Sequence, residues 1–578
     1  MKKFFSLFNF IIKPFRFQVQ DNFELPTILS LSNGSDKTKF YFNDPSTPYL
    51  VGEQPPPKST AFPMNVKDDK GPGYPLGSVE QQASACKLVI NSLLSYLLVL
   101  YKLTSVENKL SNWASKKTLN ILPRAGVDLN AYYDRGSLRF FYFKAPKKVV
   151  YACDATPVVC HEFGHAFLDA MRPDFWSAQA LEIWAFHESF GDIASIIFSL
   201  NNDEMINSAI KETNGNMLKS NVITRIGVEM GQTYYDMLKD KNGALKSCLR
   251  DASVVYKYTK PESLPKEGRD DTLLYESHNF SRVFTGAFYE LVIRVANKAL
   301  TDGVCKDLPQ SIKFSRDICT RYLLKATSSV PLTSKLFEAL AKHMLLVDKN
   351  EGSKYQEVMR KVFLERNIIS NNVLMLGDQS ISDVKRTLKG AYTLENFSSE
   401  KVIRTLSSTT IRIIDKRVLG LKNNYLYGLQ IEVPNETVYY FDNNDKLVDV
   451  ISSSEDDIVD SAMDCLDYLD KNKLIGSFSG ALFEVKRGKL ARKQIACKCG
   501  LPNYCDPNAP EFNKPWKPAN HSSCCKCTGP NCKPRSCDCS ETGTNKIVKK
   551  SYCSSLLSSC SKARHTVGQF ISRRVCSN

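Results

Sequence analysis

At 578 residues the chain is too long for one small core, and 43% hydrophobic with 24% charged residues excludes a disordered protein. Such a length suggests about two to four domains. The formal net charge of +16 favours acidic partners or anionic surfaces, yet no long basic block stands out that would identify a nucleic-acid partner.

The first residues, Met1-Lys2-Lys3 and then Phe4 to Ile12, have the positive end and apolar run of a signal peptide. Lys13 and Arg16 close that run early, and no small-x-small cleavage site follows. A membrane-surface anchor and a buried strand are the alternatives. Residues 1–80 read as an extended or turn-rich lead-in, because Pro55-Pro56-Pro57 and Lys70-Gly71-Pro72-Gly73-Tyr74-Pro75 interrupt regular structure. Residues 81–155 read as a lobe with a helix reaching about residue 118 and then a hairpin. Its strands are Val127 to Tyr133 and Leu138 to Phe143, joined at Asp134-Arg135-Gly136-Ser137. Leu88 to Tyr101 is broken by Asn91 and Ser92, which predicts an amphipathic helix rather than a membrane span. Residues 156–370 predict a mainly helical lobe, with two helices in 156–200 and another over Phe280 to Lys298. Residues 371–490 predict an accessory α/β domain, with strands at Thr409 to Ile414, Leu426 to Val433, Thr437 to Phe441 and Leu447 to Ile451. A helix is expected over Asp456 to Leu469. Residues 491–578 form a cysteine-rich domain.

The chemistry concentrates at His161-Glu162-Phe163-Gly164-His165. Residues i and i+4 of a helix lie one above the other, so both imidazoles face one point and can share a metal. Glu162 lies one step round the helix and reaches a water at that metal, which is the pattern of a zinc hydrolase. A catalytic zinc usually takes three protein ligands. The third is expected from the next apolar-periodic segment, where Glu188 and Asp192 share a face. Glu188 can reach the metal, and Asp192 can accept the Nδ1 proton of His161, fixing its tautomer. His187 competes with Glu188; only one of the two faces the first helix, and the carboxylate is favoured.

These residues resemble those of the thermolysin-like gluzincin zinc metallopeptidases, whose first helix carries H-E-x-x-H and whose next carries E-x-x-x-D. The resemblance covers residues 125–370. It implies an α+β fold with zinc-binding helices and an edge strand lining the cleft, here followed by the α/β segment and cysteine-rich tail. It implies one catalytic zinc on His161, His165 and Glu188, with Asp192 behind His161 and Glu162 as general base. Asn130-Ala131-Tyr132-Tyr133 resembles the family's edge strand, so Asn130 and Ala131 are expected to bind the substrate backbone. His278 in His278-Asn279-Phe280-Ser281 resembles the oxyanion-stabilising histidine, and Arg250 resembles the substrate-clamping arginine. Two positions depart from the family. Trp176 stands where the relatives have a tyrosine that assists the oxyanion, so either Trp176 substitutes or another tyrosine does. Leu273 stands where the acid orienting the histidine is expected, leaving Asp270, Asp271 and Glu276 as candidates.

Twelve of the nineteen cysteines lie between Cys497 and Cys576. The run Cys525, Cys527, Cys532, Cys537, Cys539 partly resembles a CXC zinc-cluster domain, which would hold further zinc. The rival reading is a disulfide-stapled module. Disulfides are favoured, and with them an extracellular or secretory location over the cytoplasm. The leading expectation is a zinc endopeptidase acting on polypeptides. The alternatives are an inactive binding protein on a peptidase fold and a nucleic-acid-associated protein acting through the tail.

Overall fold

The computed structural model describes residues 37–53, 62–103, 110, 112–238 and 247–370, less 116, 147, 179 and 270. Beyond these it describes 380–388, 392–397, 400–405, 408–413, 430–435, 437–442, 444–452, 476, 483–486 and 489–492. The expected helix over 456–469 and residues 493–578, with every cysteine of the tail, lie outside the described residues.

The architecture is mixed α+β. A hairpin of β1 (Thr38–Tyr41) and β2 (Tyr49–Gly52) comes first, then β3 (Met64–Val66) and the long helix α1 (Val79–Leu103). Part of the lead-in is therefore built into the molecule, with Phe40, Phe42, Leu50 and Phe62 buried in the main core. The helix expected to residue 118 ends at Leu103. Beyond the expected helix, a strand not foreseen from the sequence, β4 (Leu119–Leu122), runs parallel to β3. The expected hairpin follows as β5 (Ala131–Tyr133) and β6 (Ser137–Phe140), and then β7 (Tyr142–Lys144) pairs with β8 (Val149–Tyr151). The strands order β3-β4-β6-β5, so β5 is an edge, hydrogen-bonded on one side to β6.

The turn between β5 and β6 is organised by Asp134. Its Oδ1 accepts from Gly136 N (3.1 Å), Ser137 N (2.7 Å) and Ser137 Oγ (2.9 Å). The left-handed residue there is Arg135, at φ +70°, and not the neighbouring glycine. For a residue with a Cβ this conformation costs about 1–2 kcal/mol.

The helical lobe contains α2 (Thr156–Met171), α3 (Pro173–Ser177), α4 (Leu181–Ser199) and α5 (Asp203–Thr213). β9 (Arg225–Ile226), α6 (Val228–Met237) and β10 (Arg250–Asp251) lead to α7 (Ser277–Phe280) and α8 (Arg282–Thr301). Then come α9 (Leu308–Ser329), α10 (Leu336–Asn350) and α11 (Gln356–Glu365). Every residue of α2 is buried, so its polar side chains must find partners within the protein. Pro157 in its first turn starts the helix without leaving an N–H unsatisfied. Phe163, Phe167 and Leu168 are fully buried on it; truncating any of these to alanine costs about 2–5 kcal/mol. α1 is long and apolar enough to cross a membrane, but most of it is buried against the rest of the protein.

The last elements are α12 (Ile381–Thr387) and strands β11 (Tyr392–Phe397), β12 (Glu400–Thr405), β13 (Ser408–Ile413), β14 (Gln430–Asn435), β15 (Thr437–Phe441), β16 (Leu447–Ser452), β17 (Phe483–Lys486) and β18 (Lys489–Arg492). All described strand pairs here are antiparallel, with β11-β12-β15-β16 as one sheet. This sheet joins the main core through Val402, Val438, Tyr440 and Val448. Arg404 Nη2 (2.6 Å) and Tyr440 Oη (3.1 Å) both donate to Ser329 O at the end of α9.

Candidate metal centre

α2 and α4 cross where each carries a glycine. A Cβ on Gly164 would lie 2.8 Å from Gly191 Cα, and one on Gly191 would lie 2.7 Å from His161 Nδ1. Glycine inside a helix costs about 1 kcal/mol relative to alanine. Here it lets the two helices approach until the His161 ring lies over α4 and Glu188 faces the histidines of α2.

The result is a buried trio, His161, His165 and Glu188. His161 Nε2 is 3.2 Å from His165 Nε2 and 3.3 Å from Glu188 Oε2, and His165 Nε2 is 3.8 Å from Glu188 Oε1. Ligands about 2.0–2.1 Å from a tetrahedral zinc stand about 3.3–3.4 Å apart, so the trio has the spacing of a zinc site. The donor set, two imidazoles and one carboxylate, also suits zinc. Two buried oxygens reinforce the fit: Glu188 Oε2 and Glu162 Oε2 have no hydrogen-bond partner among the described residues. The cluster takes Glu188 and not His187; the His187 ring packs 5.9 Å from that of His165.

His161 Nδ1 donates to Asp192 Oδ1 at 2.8 Å, which leaves Nε2 to face the other ligands. Asp192 is in turn gripped by Arg250, whose Nε (3.0 and 2.8 Å) and Nη2 (2.7 Å) donate to its carboxylate. Arg250, expected at the substrate, thus has a protein partner that the sequence did not disclose. Burial pushes the Asp192 carboxyl up, but Arg250 and His161 outweigh this and hold it low. Burial likewise works against ionised Glu188, and His278, His165 and His161 hold it well below the usual range. For His161, burial and Arg250 push the imidazole down, while Asp192 and Glu188 raise it to about 9. Burial, with Glu188, pushes the Glu162 carboxyl up to about 7 against the pull of His161, Arg250 and His278.

His278 enters from α7 on the more open side, its side chain 33% exposed, with Nε2 3.4 Å from Glu188 Oε2. Of the three acids considered for orienting it, Asp270 lies outside the described residues, and Glu276 is the one bonded to it. Its Oε1 accepts from His278 Nδ1 at 2.6 Å, and its carboxylate caps α7 by accepting from His278 N and Asn279 N. Burial pushes His278 down, but Glu188 and Glu276 raise it to about 9. Ser189 Oγ on α4 donates to Ser281 O, and Ser281 Oγ donates to His278 O, fixing α7 against α4.

The remaining expected residues lie at β5 and on α3. Asn130 and Ala131 are half-buried at the start of the edge strand β5. Trp176, on α3, packs edge-on against Tyr133 (5.2 Å) and His187 (5.7 Å), and its Nε1 has no hydrogen-bond partner among the described residues. The two glycines were missed as site residues. Their signal was present, since a glycine at the centre of each apolar helix motif indicates close backbone approach.

The six described cysteines, Cys86, Cys153, Cys160, Cys248, Cys305 and Cys319, are all free and buried, while the tail cysteines expected to pair lie outside the described residues. No family model matches the chain, and no curated protein matches it in sequence.

Proposed function

We propose that the chain is a zinc-dependent endopeptidase of the thermolysin-like gluzincin kind. The observation that carries this reading is the zinc-spaced trio of His161, His165 and Glu188 with the unsatisfied Glu162 oxygen among the buried groups around it. A zinc ion held by the trio would polarise the scissile carbonyl and acidify a water molecule. Glu162 accepts the water proton at a carboxylate oxygen and returns it to the leaving amine, the task of a general base and acid. His278, oriented through Nδ1 by Glu276, donates from Nε2 to the developing oxyanion. The edge strand β5 supports binding of an extended polypeptide by strand addition, with Asn130 and Ala131 at its start. Asp192 occupies Nε and Nη2 of Arg250, which leaves Nη1 as the donor for a substrate carbonyl.

The test is cleavage of casein or an unstructured peptide by the zinc-loaded protein. Cleavage should stop on chelation and return with zinc. Glu162→Gln should lower turnover by about 10²–10⁴-fold while zinc content is kept. Cleavage by E162Q at the wild-type rate would overturn the assignment. Peptide binding by the wild-type protein without cleavage would indicate a binding protein on a peptidase fold.

A further inference from the structure

Asp169 lies on α2 four residues beyond His165, and so continues the face that carries His161 and His165. It is fully buried. Its Oδ2 accepts from Tyr133 Oη at 3.0 Å, and Tyr133 is the last residue of β5. Arg135, in the turn that follows, donates to the same carboxylate from Nε (3.3 and 3.0 Å) and Nη2 (2.8 Å). Arg135 Nη2 also donates to Pro173 O at 3.2 Å, and its guanidinium lies 5.5 Å from the Trp176 ring centre. One carboxylate on the metal helix therefore holds both the end of the edge strand and the turn beyond it.

The backbone supports a role beyond packing. Arg135 adopts the left-handed conformation although Gly136, beside it, is the residue suited to it. Strain of this kind persists where the surroundings over-determine it, and it clusters at functional sites. Here the over-determining contact is the paired guanidinium–carboxylate bond. Without it, β5 would keep its tie to the helix through Tyr133 Oη and packing but lose the paired bond.

We propose that Arg135 is a positioning residue that, through Asp169, fixes the edge strand β5 relative to the metal helix and so sets the register of an extended peptide. This rests on the peptidase reading for its substrate class, but not on turnover. A peptide spanning both the strand and the metal centre depends on the contact; a ligand confined to the metal centre does not.

The experiment uses the full-length zinc-loaded protein and the variants Arg135→Gly and Arg135→Asn. Both replacements tolerate the left-handed backbone, so the turn is kept while the guanidinium is lost. Binding of a fluorescent ten-residue peptide is measured by anisotropy, binding of a short hydroxamate by competition, and zinc by mass spectrometry. The expected result is an approximately tenfold or greater weakening for the peptide and less than about twofold for the hydroxamate, with zinc content unchanged. Where cleavage is observed, KM for long peptides should rise more than for short ones. Equal weakening for both ligands, or none for the peptide, overturns the proposal, as does a wild-type protein that binds no extended peptide. Peptide binding that depends on Arg135 without any cleavage supports the proposal while removing the catalytic reading, so the two failures are distinguishable.

Discussion

Gly191 lies so close to His161 that a single methyl group would meet the ring at Nδ1, Cε1 and Cγ, the nearest at 2.7 Å. Gly191→Ala should therefore push the imidazole off Asp192 or force α4 away from α2. Overpacking of this sort costs about 1–3 kcal/mol, and disturbing the partner of a ligating histidine costs about 10–100-fold in metal affinity. A zinc titration of G191A against a chromophoric chelator, beside its thermal midpoint, checks both effects. An affinity equal to wild type would show that the glycine is not needed for the site.

Removing the metal should change how stability depends on pH. In the metal-free protein the His161 and His278 imidazoles are raised from 6.5 to about 9. Their protonated forms thus favour the folded state. That contribution is fully present below about 6.5 and is lost as pH rises through about 9. The midpoint of the metal-free protein should fall across this window. In the zinc-loaded protein the ion replaces the proton on His161, so the fall should be shallower. Zinc uptake near pH 7 should release protons, and calorimetry in two buffers of different ionisation enthalpy reads that release.

Glu276→Gln tests the partner of His278. Glu276 is one of two carboxylates that raise the imidazole to about 9. Its loss should lower that value, and activity requiring protonated His278 should then decline at lower pH on the basic side of the profile. Turnover should fall by about 10²-fold or less, the scale of losing one oxyanion donor, with zinc content unchanged. The acid side, governed by Glu162, has a ceiling near 7 that the zinc charge pulls lower. That limb should stay where it is in E276Q.

Asp154 gives a prediction far from catalysis. Burial pushes its carboxyl up to about 7, with Glu229 adding and Gln82 and Arg124 opposing. Gln82 Nε2 donates to both oxygens at 2.9 Å. A raised carboxyl favours the neutral form in the folded protein, so its stabilising contribution at low pH is lost as pH rises from about 4 to 7. The urea midpoint of the wild type should carry this loss between pH 4 and 8. In Asp154→Asn the difference between the two pH values should shrink.

The zinc-binding cluster was legible because its information is local. Periodicity puts His161 and His165 on one face, and the same rule groups Glu188 with Asp192. The partners of those residues were not legible, because they are set by distant chain segments. Arg250 reaches Asp192 across 58 positions, and Tyr133 reaches Asp169 across 36. Glu276 stayed one of three acids until the cap of α7 placed its carboxylate on His278 Nδ1. The helix expected to residue 118 ends at Leu103, a boundary that apolar periodicity alone does not mark. Leu119–Leu122 was not foreseen as a strand, because so short a run carries no clear period, and pairing with β3 and β6 makes it one. Of the accessory sheet, β15 and β16 were foreseen as strands but β11 and β12 were not, and its burial against α9 depends on Tyr440 and Arg404 meeting one carbonyl.

α1 gives the chain a problem of timing. The helix has the length and apolarity of a bilayer-crossing segment, yet it is mostly covered in the finished molecule. Much of its cover comes from chain made later: α2 begins at Thr156, and α9, whose Asp317 accepts from Tyr96 Oη, begins only at Leu308. During synthesis more than two hundred residues separate the end of α1 from that second partner. Until then the face of α1 that meets α9 has no cover from it. A chain cut short before Leu308 should therefore expose apolar surface on α1 and aggregate more readily than the full-length protein.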